Sequence, residues 1–463
     1  MSKIVKARFA PSPTGLIHLG NMRTALFNYL YAKSSNGKFY IRIEDTDKER
    51  STAEHRNKLL NDVYSLGLRW EGGEDNSLEG IICQSEREDI YNEYFDKLID
   101  GGYAYPCYCS PEELQKSRDS QRRRGHAPKY AGTCRNLTIE ERKEKETKGL
   151  KASLRFNVSK GQDITYVDLV QGKKVFKSED IGDFIIRKSD GGAAFFFSNV
   201  LDDALTGMNC VLRGEDHLTN TPRQLMIVKA LGLPEAEYGH LPLIVGDDSK
   251  PLSKRNGSVS IDSCTEEGIL PIALLNYLAR LGHKYTSDDL LSLAELCDNF
   301  SLERVGRSPS RFDKVQLKHW QKEAVARLSQ DEFYSWNNAL VSDEIKEQFY
   351  ITVKSNVVNL EEVGFWKEQL LGNMTLSDDA VEFIKSAGDE YYDAALSAVK
   401  SHSTDYKAIM SELKTNLGIA GKKLFMPMRA AVTGQTSGPE LINVFTLLGK
   451  DKIIKRLENA KQA

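Results

Sequence analysis

Two loops in this chain carry residue types suited to holding phosphate. In ARFAPSPTGLIHLGN, Ala7 to Asn21, two prolines and two glycines interrupt an apolar run and set His18 just ahead of a helix-forming stretch. A turn that enters a helix N-terminus offers unpaired backbone N–H groups to an anion. An imidazole at that point can donate to a phosphate oxygen and stabilise charge that develops during phosphoryl chemistry. The loop has neither the GxxxxGK[ST] cradle nor the GxGxxG fingerprint, so neither common nucleotide motif applies. The second loop, GDDSKPLSKRNGS (246–258), sets Lys250, Ser253, Lys254 and Arg255 among glycines. Between the two, KFYIRIEDTD ends in Glu44, Asp45 and Asp47. Taken alone, the first loop reads as an ordinary strand-to-helix connection punctuated by Pro and Gly, and the second as a solvent-exposed basic loop.

The elements around these loops place them together. Residues 4–9 (IVKARF) read as a buried first strand, Leu19 to Ser34 has apolar residues on a helical period, and KFYIRI is a second strand. Strand, loop, helix, strand begins a parallel α/β sheet, whose ligands bind at the carboxyl ends of the strands. The Pro/Gly loop and the acidic cluster both fall at such ends, in one crevice. Residues 103–190 differ in texture: close cysteines, the run QRRRG, the charged stretch IEERKEKETKGLK and short strand-like pieces mark an insertion. FFFSNVLDD and NCVLRGED (195–216) read as strands that resume the sheet, and beyond about Gly257 the pattern is mainly helical.

Composition bounds the possibilities. The chain has 463 residues, 40% hydrophobic and 28% charged, and is long enough for three or more units. No apolar run reaches membrane-spanning length, and MSKIVKARFA has no apolar core of signal-peptide size, so a cytoplasmic protein with no membrane partner is expected. Seven scattered cysteines do not make a disulfide framework. A net charge of −3 argues against non-specific nucleic-acid binding, and any polyanion must meet a local patch. One such patch is 401–463, with ten Lys and Arg against five Asp and Glu.

The loop at His18–Leu19–Gly20–Asn21, paired with Pro251–Leu252–Ser253–Lys254–Arg255, resembles the two signatures of class I aminoacyl-tRNA synthetases. RFAPSPTG, RTALFNYLYA, RIEDTD, QSER (84–87), DFIIRKSDG (183–191), LRGEDH (212–217), LSKRNG and LFMPMRAAVTG (424–434) follow in the order of bacterial-type glutamyl-tRNA synthetases. The resemblance spans nearly the whole chain. It implies a Rossmann-type catalytic domain in two halves (1–102 and 191–258), an α+β acceptor-stem insertion (103–190), a stem-contact region (259–325) and an all-α anticodon-binding domain (326–463). The implied reaction is activation of L-glutamate by ATP with Mg²⁺, then transfer to tRNA(Glu), by a monomer. A non-discriminating enzyme that also charges tRNA(Gln), or a catalytically weakened tRNA-binding paralogue, is the alternative.

The same resemblance assigns residues. His18 and Lys254 would be catalytic, at the phosphates and the pyrophosphate leaving group. Arg8, Ala10, Ser12, Glu44, Phe195, Asn199 and Arg213 would bind glutamate, whose two carboxylates and one ammonium call for guanidiniums and a carboxylate. Pro11, Ser12, His18, Gly20, Asn21, Ser253, Lys254 and Arg255 would bind ATP. Cys107, Cys109, Tyr130 and Cys134 resemble a structural zinc site of some members, with His126 as another fourth ligand. Arg122, Arg123 and Arg124 would meet tRNA phosphates. Two positions depart from the family pattern: Pro251 stands where a lysine is usual, with Lys250 one residue earlier, and Phe195 replaces a tyrosine and its hydroxyl.

Overall fold

The computed structural model describes residues 4–47, 49–73, 80–250 and 259–462. The loop 251–258, and with it Ser253, Lys254 and Arg255, lies outside the described residues. The chain divides into two compact units: Met1–Ser263 with Leu275–Asp313, and Cys264–Leu274 with Lys314–Ala463.

The first unit is built on a five-stranded parallel sheet of β1 (Lys6–Phe9), β2 (Lys38–Ile43), β3 (Ile82–Cys83), β4 (Cys210–Gly214) and β5 (Glu237–Leu241), in spatial order β5-β4-β1-β2-β3. Strand order reverses between β1 and β4, which opens a crevice beyond their carboxyl ends. The helix Leu19–Ser34 packs on β1 and β2 and buries Leu19, Met22, Leu26 and Leu30 at the i, i+3, i+4 spacing its sequence shows. In β2 both faces are largely covered, as parallel sheets require.

FFFSNVLDD is not a strand. Phe195–Leu205 is a helix that buries Phe197, Val200 and Leu201, with Phe197 stacked on Phe95 at 4.2 Å between ring centroids. A local run of aromatic and β-branched residues favours strand, but tertiary contacts override that weak preference. On the helix, Asn199, Asp202 and Asp203 share one turn, and all three are buried and paired. Gln84, Arg87 and Tyr91 all bond the Asp202 carboxylate, at 2.7–2.8 Å, so the QSER segment grips this helix.

Between the sheet halves lie an antiparallel sheet of Ala104–Cys107, Ser153–Phe156 and Phe184–Arg187, and a hairpin of Asp163–Asp168 with Gly172–Lys177. The hairpin end meets β5: Leu169 N–H donates to Tyr238 O at 2.8 Å. Gly239 permits the approach, since a Cβ there would lie 2.6 Å from Leu212 and 3.3 Å from Leu169.

The second unit is helical. Asp378–His402, Tyr406–Leu417, Lys422–Thr433 and Leu441–Gln462 surround a core that includes Phe349, Tyr392, Met428 and Phe445. Arg456 is buried here and donates to Gln369 O (2.8 Å), Leu370 O (3.0 Å) and Val432 O. Those carbonyls end the helices Leu360–Leu371 and Lys422–Thr433, so one cation satisfies the negative ends of two helix dipoles. Replacing Arg456 by Met should leave them unpaired and destabilise this unit by about 1–3 kcal/mol. Tryptophan fluorescence during urea unfolding measures it, because Trp320, Trp336 and Trp366 all lie in this unit.

Candidate active site

At the strand-order reversal a cavity of about 280 Å³ lies beyond β1 and β4. Nine of the residues singled out from sequence line it: Arg8, Ala10, Pro11, Ser12, Asn21, Glu44, Phe195, Asn199 and Arg213. Phe9, Thr14, Thr24, Leu212 and His217 complete the wall. His217 was not singled out, although it closes the LRGEDH motif; its ring sits 5.3 Å from that of Phe195.

The acids at the end of β2 diverge, contrary to the single acidic crevice expected. Only Glu44 lines this cavity. Asp45 accepts from Ser85 N–H and Oγ–H at 2.8 and 2.7 Å, and Asp47 pairs with Arg50. Consecutive residues of an extended chain point to different sides, so Glu44 and Asp45 cannot both serve one site, and Asp47, beyond Thr46, is held by Arg50.

A buried charge network frames the cavity. Arg8 holds Asp203 with Nε at 2.9 Å and Nη2 at 3.2 Å. Arg42 bonds the same carboxylate and also Glu44, at 3.0 Å. Asn199 donates to Glu44 at 2.5 Å and accepts from Gln224 at 2.9 Å, and Gln224 accepts in turn from Arg213 at 2.6 Å. Burial alone would raise the Asp203 pKa, but the Arg42 and Arg8 guanidiniums outweigh it and hold the carboxyl below its usual range. Burial lowers Arg213 to about 10 and His217 to about 4. Arg213 also has one buried group, Nη1, with no hydrogen-bond partner among the described residues. A buried guanidinium N–H pair left unmatched costs free energy that a carboxylate ligand would recover.

His18 caps the Leu19–Ser34 helix in extended conformation, and no acid occupies the first turn. His18 and Gly20 are half-buried and do not line the 280 Å³ cavity. Leu19 N–H donates to Val259 O at 3.3 Å, and His18 bridges to Ser260. The chain thus returns to the His18 turn within two residues of the basic loop 251–258.

In the insertion, the Sγ atoms of Cys107, Cys109 and Cys134 lie within 4.8 Å of one another, with Cys109 and Cys134 at 3.6 Å. Tyr130 Oη is 3.3 Å from Cys107 Sγ and 3.6 Å from Cys109 Sγ. These spacings match the edges of a tetrahedron with metal–sulfur bonds of about 2.3 Å. Arg155 donates to Cys107 Sγ at 3.2 Å, where its charge favours the thiolate, and lies 3.8 Å over the Tyr130 ring. His126 is exposed and outside the cluster. Arg122 and Arg123 close the exposed helix Pro111–Arg123, and Arg124 caps it.

The comparisons with known proteins agree with this architecture. Residues 4–319 match the family described as tRNA synthetases class I (E and Q), catalytic domain, and 377–461 match an anticodon binding domain. The chain belongs to the class I tRNA synthetases of the E and Q family. It is 48% identical over 461 residues to glutamate–tRNA ligase 2 of Nitrosococcus oceani, with 98% of each chain covered. Glutamate–tRNA ligase 2 of Coxiella burnetii is 46% identical over 465 residues, covering 99% of this chain and all of its own. A crystal structure of a glutamate tRNA ligase from Elizabethkingia meningosepticum, in complex with its amino acid, superposes with a TM-score of 0.86 at 26% identity, and both chains are fully covered. No helix of the described residues is long and apolar enough to cross a membrane.

Asp203 joins two buried guanidiniums, so Asp203→Asn should leave excess positive charge inside the sheet. The expected loss is about 3–5 kcal/mol in chemical denaturation, well beyond that of a surface Asp→Asn control.

Proposed function

We propose that this synthetase is a glutamate–tRNA ligase, working in the cytoplasm as a monomer. Arg213 carries the reading: it is buried, lines the cavity beside Arg8 and Glu44, and has one N–H group with no partner among the described residues. Arg8 and Arg213 meet the two carboxylates of L-glutamate, Glu44 meets its ammonium, and Ala10, Ser12, Phe195 and Asn199 shape the space between. An α-carboxylate oxygen bonds to the α-phosphorus of ATP as the bond to the bridging oxygen breaks, and pyrophosphate leaves. The terminal adenosine hydroxyl of tRNA(Glu) then attacks the adenylate carbonyl, loses its proton, and AMP departs. No enzyme-bound covalent intermediate is needed, so positioning and charge stabilisation supply the catalysis.

His18 and Lys254 neutralise the phosphates from opposite sides, while Pro11, Gly20, Asn21, Ser253 and Arg255 complete the nucleotide site. Mg²⁺ bound with the triphosphate would add further neutralisation. Cys107, Cys109, Cys134 and Tyr130 would hold one structural Zn²⁺. The insertion 103–190 meets the acceptor end of tRNA through Arg122, Arg123 and Arg124, the region 259–325 meets the stem, and the helices of 326–463 read the anticodon.

Glutamate-dependent ATP–pyrophosphate exchange tests the reaction, with and without tRNA. Lys254→Ala should lower its kcat by about 10²–10³ with little change in glutamate KM. No exchange in the parent enzyme under either condition would leave the weakened tRNA-binding paralogue standing. Charging of purified tRNA(Glu) and tRNA(Gln) separates discriminating from non-discriminating activity; efficient charging of tRNA(Glu) alone is expected. Elemental analysis should find about one zinc per chain, and Cys107→Ser should lose most of it.

A further inference from the structure

Arg213 needs an acceptor on its Nε to hold its plane, and that acceptor is His240. The distance from Arg213 Nε to His240 Nε2 is 3.2 Å, and both side chains are buried. Arginine only donates, so His240 Nε2 must present its lone pair. The ring proton then sits on Nδ1, where it faces Asp168 Oδ2 at 2.5 Å. Asp168 is itself buried, and its other oxygen, Oδ1, accepts three backbone N–H groups: Val170 at 2.9 Å, Gln171 at 2.7 Å and His240 at 3.1 Å. Thr221 Oγ lies 3.0 Å from His240 Nε2 and accepts from Arg213 Nη2 at 2.8 Å, so it too supports a bare Nε2. Nη2 is further engaged by Gln224. With Nε and Nη2 both occupied, Nη1 is what remains for a ligand.

We infer that Asp168 and His240 are positioning residues of the amino-acid site: Asp168, carried by the insertion's hairpin, fixes the His240 tautomer, and His240 fixes the plane of Arg213. The inference rests on Arg213 being a glutamate ligand. It makes the hairpin part of the substrate site without touching substrate, because the hydrogen bonds run Asp168, His240, Arg213 and then cavity. Burial holds the His240 imidazole below its usual pKa, and the Asp168 carboxyl, which burial alone would raise, is lowered by its bonds to His240 and the backbone. The pair is therefore a neutral imidazole beside a carboxylate.

Asp168→Asn separates positioning from structure. The three backbone donors on Oδ1 require an oxygen there, so the amide nitrogen of the variant must face His240 Nδ1. The ring proton then moves to Nε2 and opposes the Arg213 Nε–H, donor against donor. All four contacts of residue 168 survive, the one to His240 Nδ1 with its direction reversed, so the bond lost is the one between His240 Nε2 and Arg213. In ATP–pyrophosphate exchange, glutamate KM should rise roughly tenfold to a hundredfold, with ATP KM unchanged and kcat within about threefold. His240→Ala removes the acceptor of Arg213 Nε outright, so residue 168 has no route left to Arg213 and adding Asp168→Asn to it should leave glutamate KM where the single Ala variant has it. A glutamate KM within twofold of the parent in Asp168→Asn, or effects that multiply in the double variant, overturns the inference. Nitrogen-15 NMR of His240 gives a readout independent of activity: a proton on Nε2 in the parent protein also overturns it. Arg213→Lys is the control for the underlying reading. If it leaves glutamate KM unchanged, Arg213 is not a substrate ligand and both fall; if it raises KM while Asp168→Asn does not, only the positioning claim falls.

Discussion

The cavity depends on one buried chain of charge, Arg8 to Asp203 to Arg42 to Glu44, at the carboxyl end of the sheet. Ions removed from water are costly unless each finds partners, and breaking such a chain is worse than never having it. Here every member has one, and the chain continues through Asn199 and Gln224 to Arg213. Asp203 and Glu44 pair directly with Arg8 and Arg42, and the Asp168 carboxylate stands behind Arg213 through His240, so the three guanidiniums of the network have three carboxylates among their hydrogen-bonded partners.

The sequence-to-structure comparison divides along local and non-local lines. The first strand, its Pro/Gly loop and the helix after it were legible because pattern and punctuation are local signals, and that helix runs Leu19–Ser34 as read. Phe195–Leu205 was misread because a local aromatic run outweighed what decided its form, the pairing of Asp202 and Asp203 with residues more than a hundred positions away. The acid triplet misled for a related reason: spacing alone does not say which of three neighbours turns inward. Asp168 and His240 carried no signal at all. They stand 72 residues apart and meet only because a hairpin end crosses β5. Residues that line the cavity sit in recognisable motifs, whereas residues bonded behind them are scattered by topology.

That crossing also solves a structural problem. β5 is the edge of the parallel sheet, and a bare edge is a template for unwanted pairing. The hairpin end covers it, with Leu169 donating to Tyr238 O and Gln171 donating to His240 O. Edge protection and the bonds between Asp168 and His240 thus come from the same short stretch, and Gly239 permits its close approach.

Histidine chemistry keeps this cavity constant. His217 on the wall and His240 behind it are both held neutral, His217 down at about 4, by burial and the nearby Arg213 cation. A further positive charge beside these guanidiniums would cost more desolvation than Asp216 or Asp168 offsets. Neutral imidazoles supply ring surface against Phe195 and a lone pair for Arg213 without adding charge. At Phe195 the wall carries an aromatic contact with His217. The polar work of the site then falls on Asn199, Glu44 and the two cavity arginines.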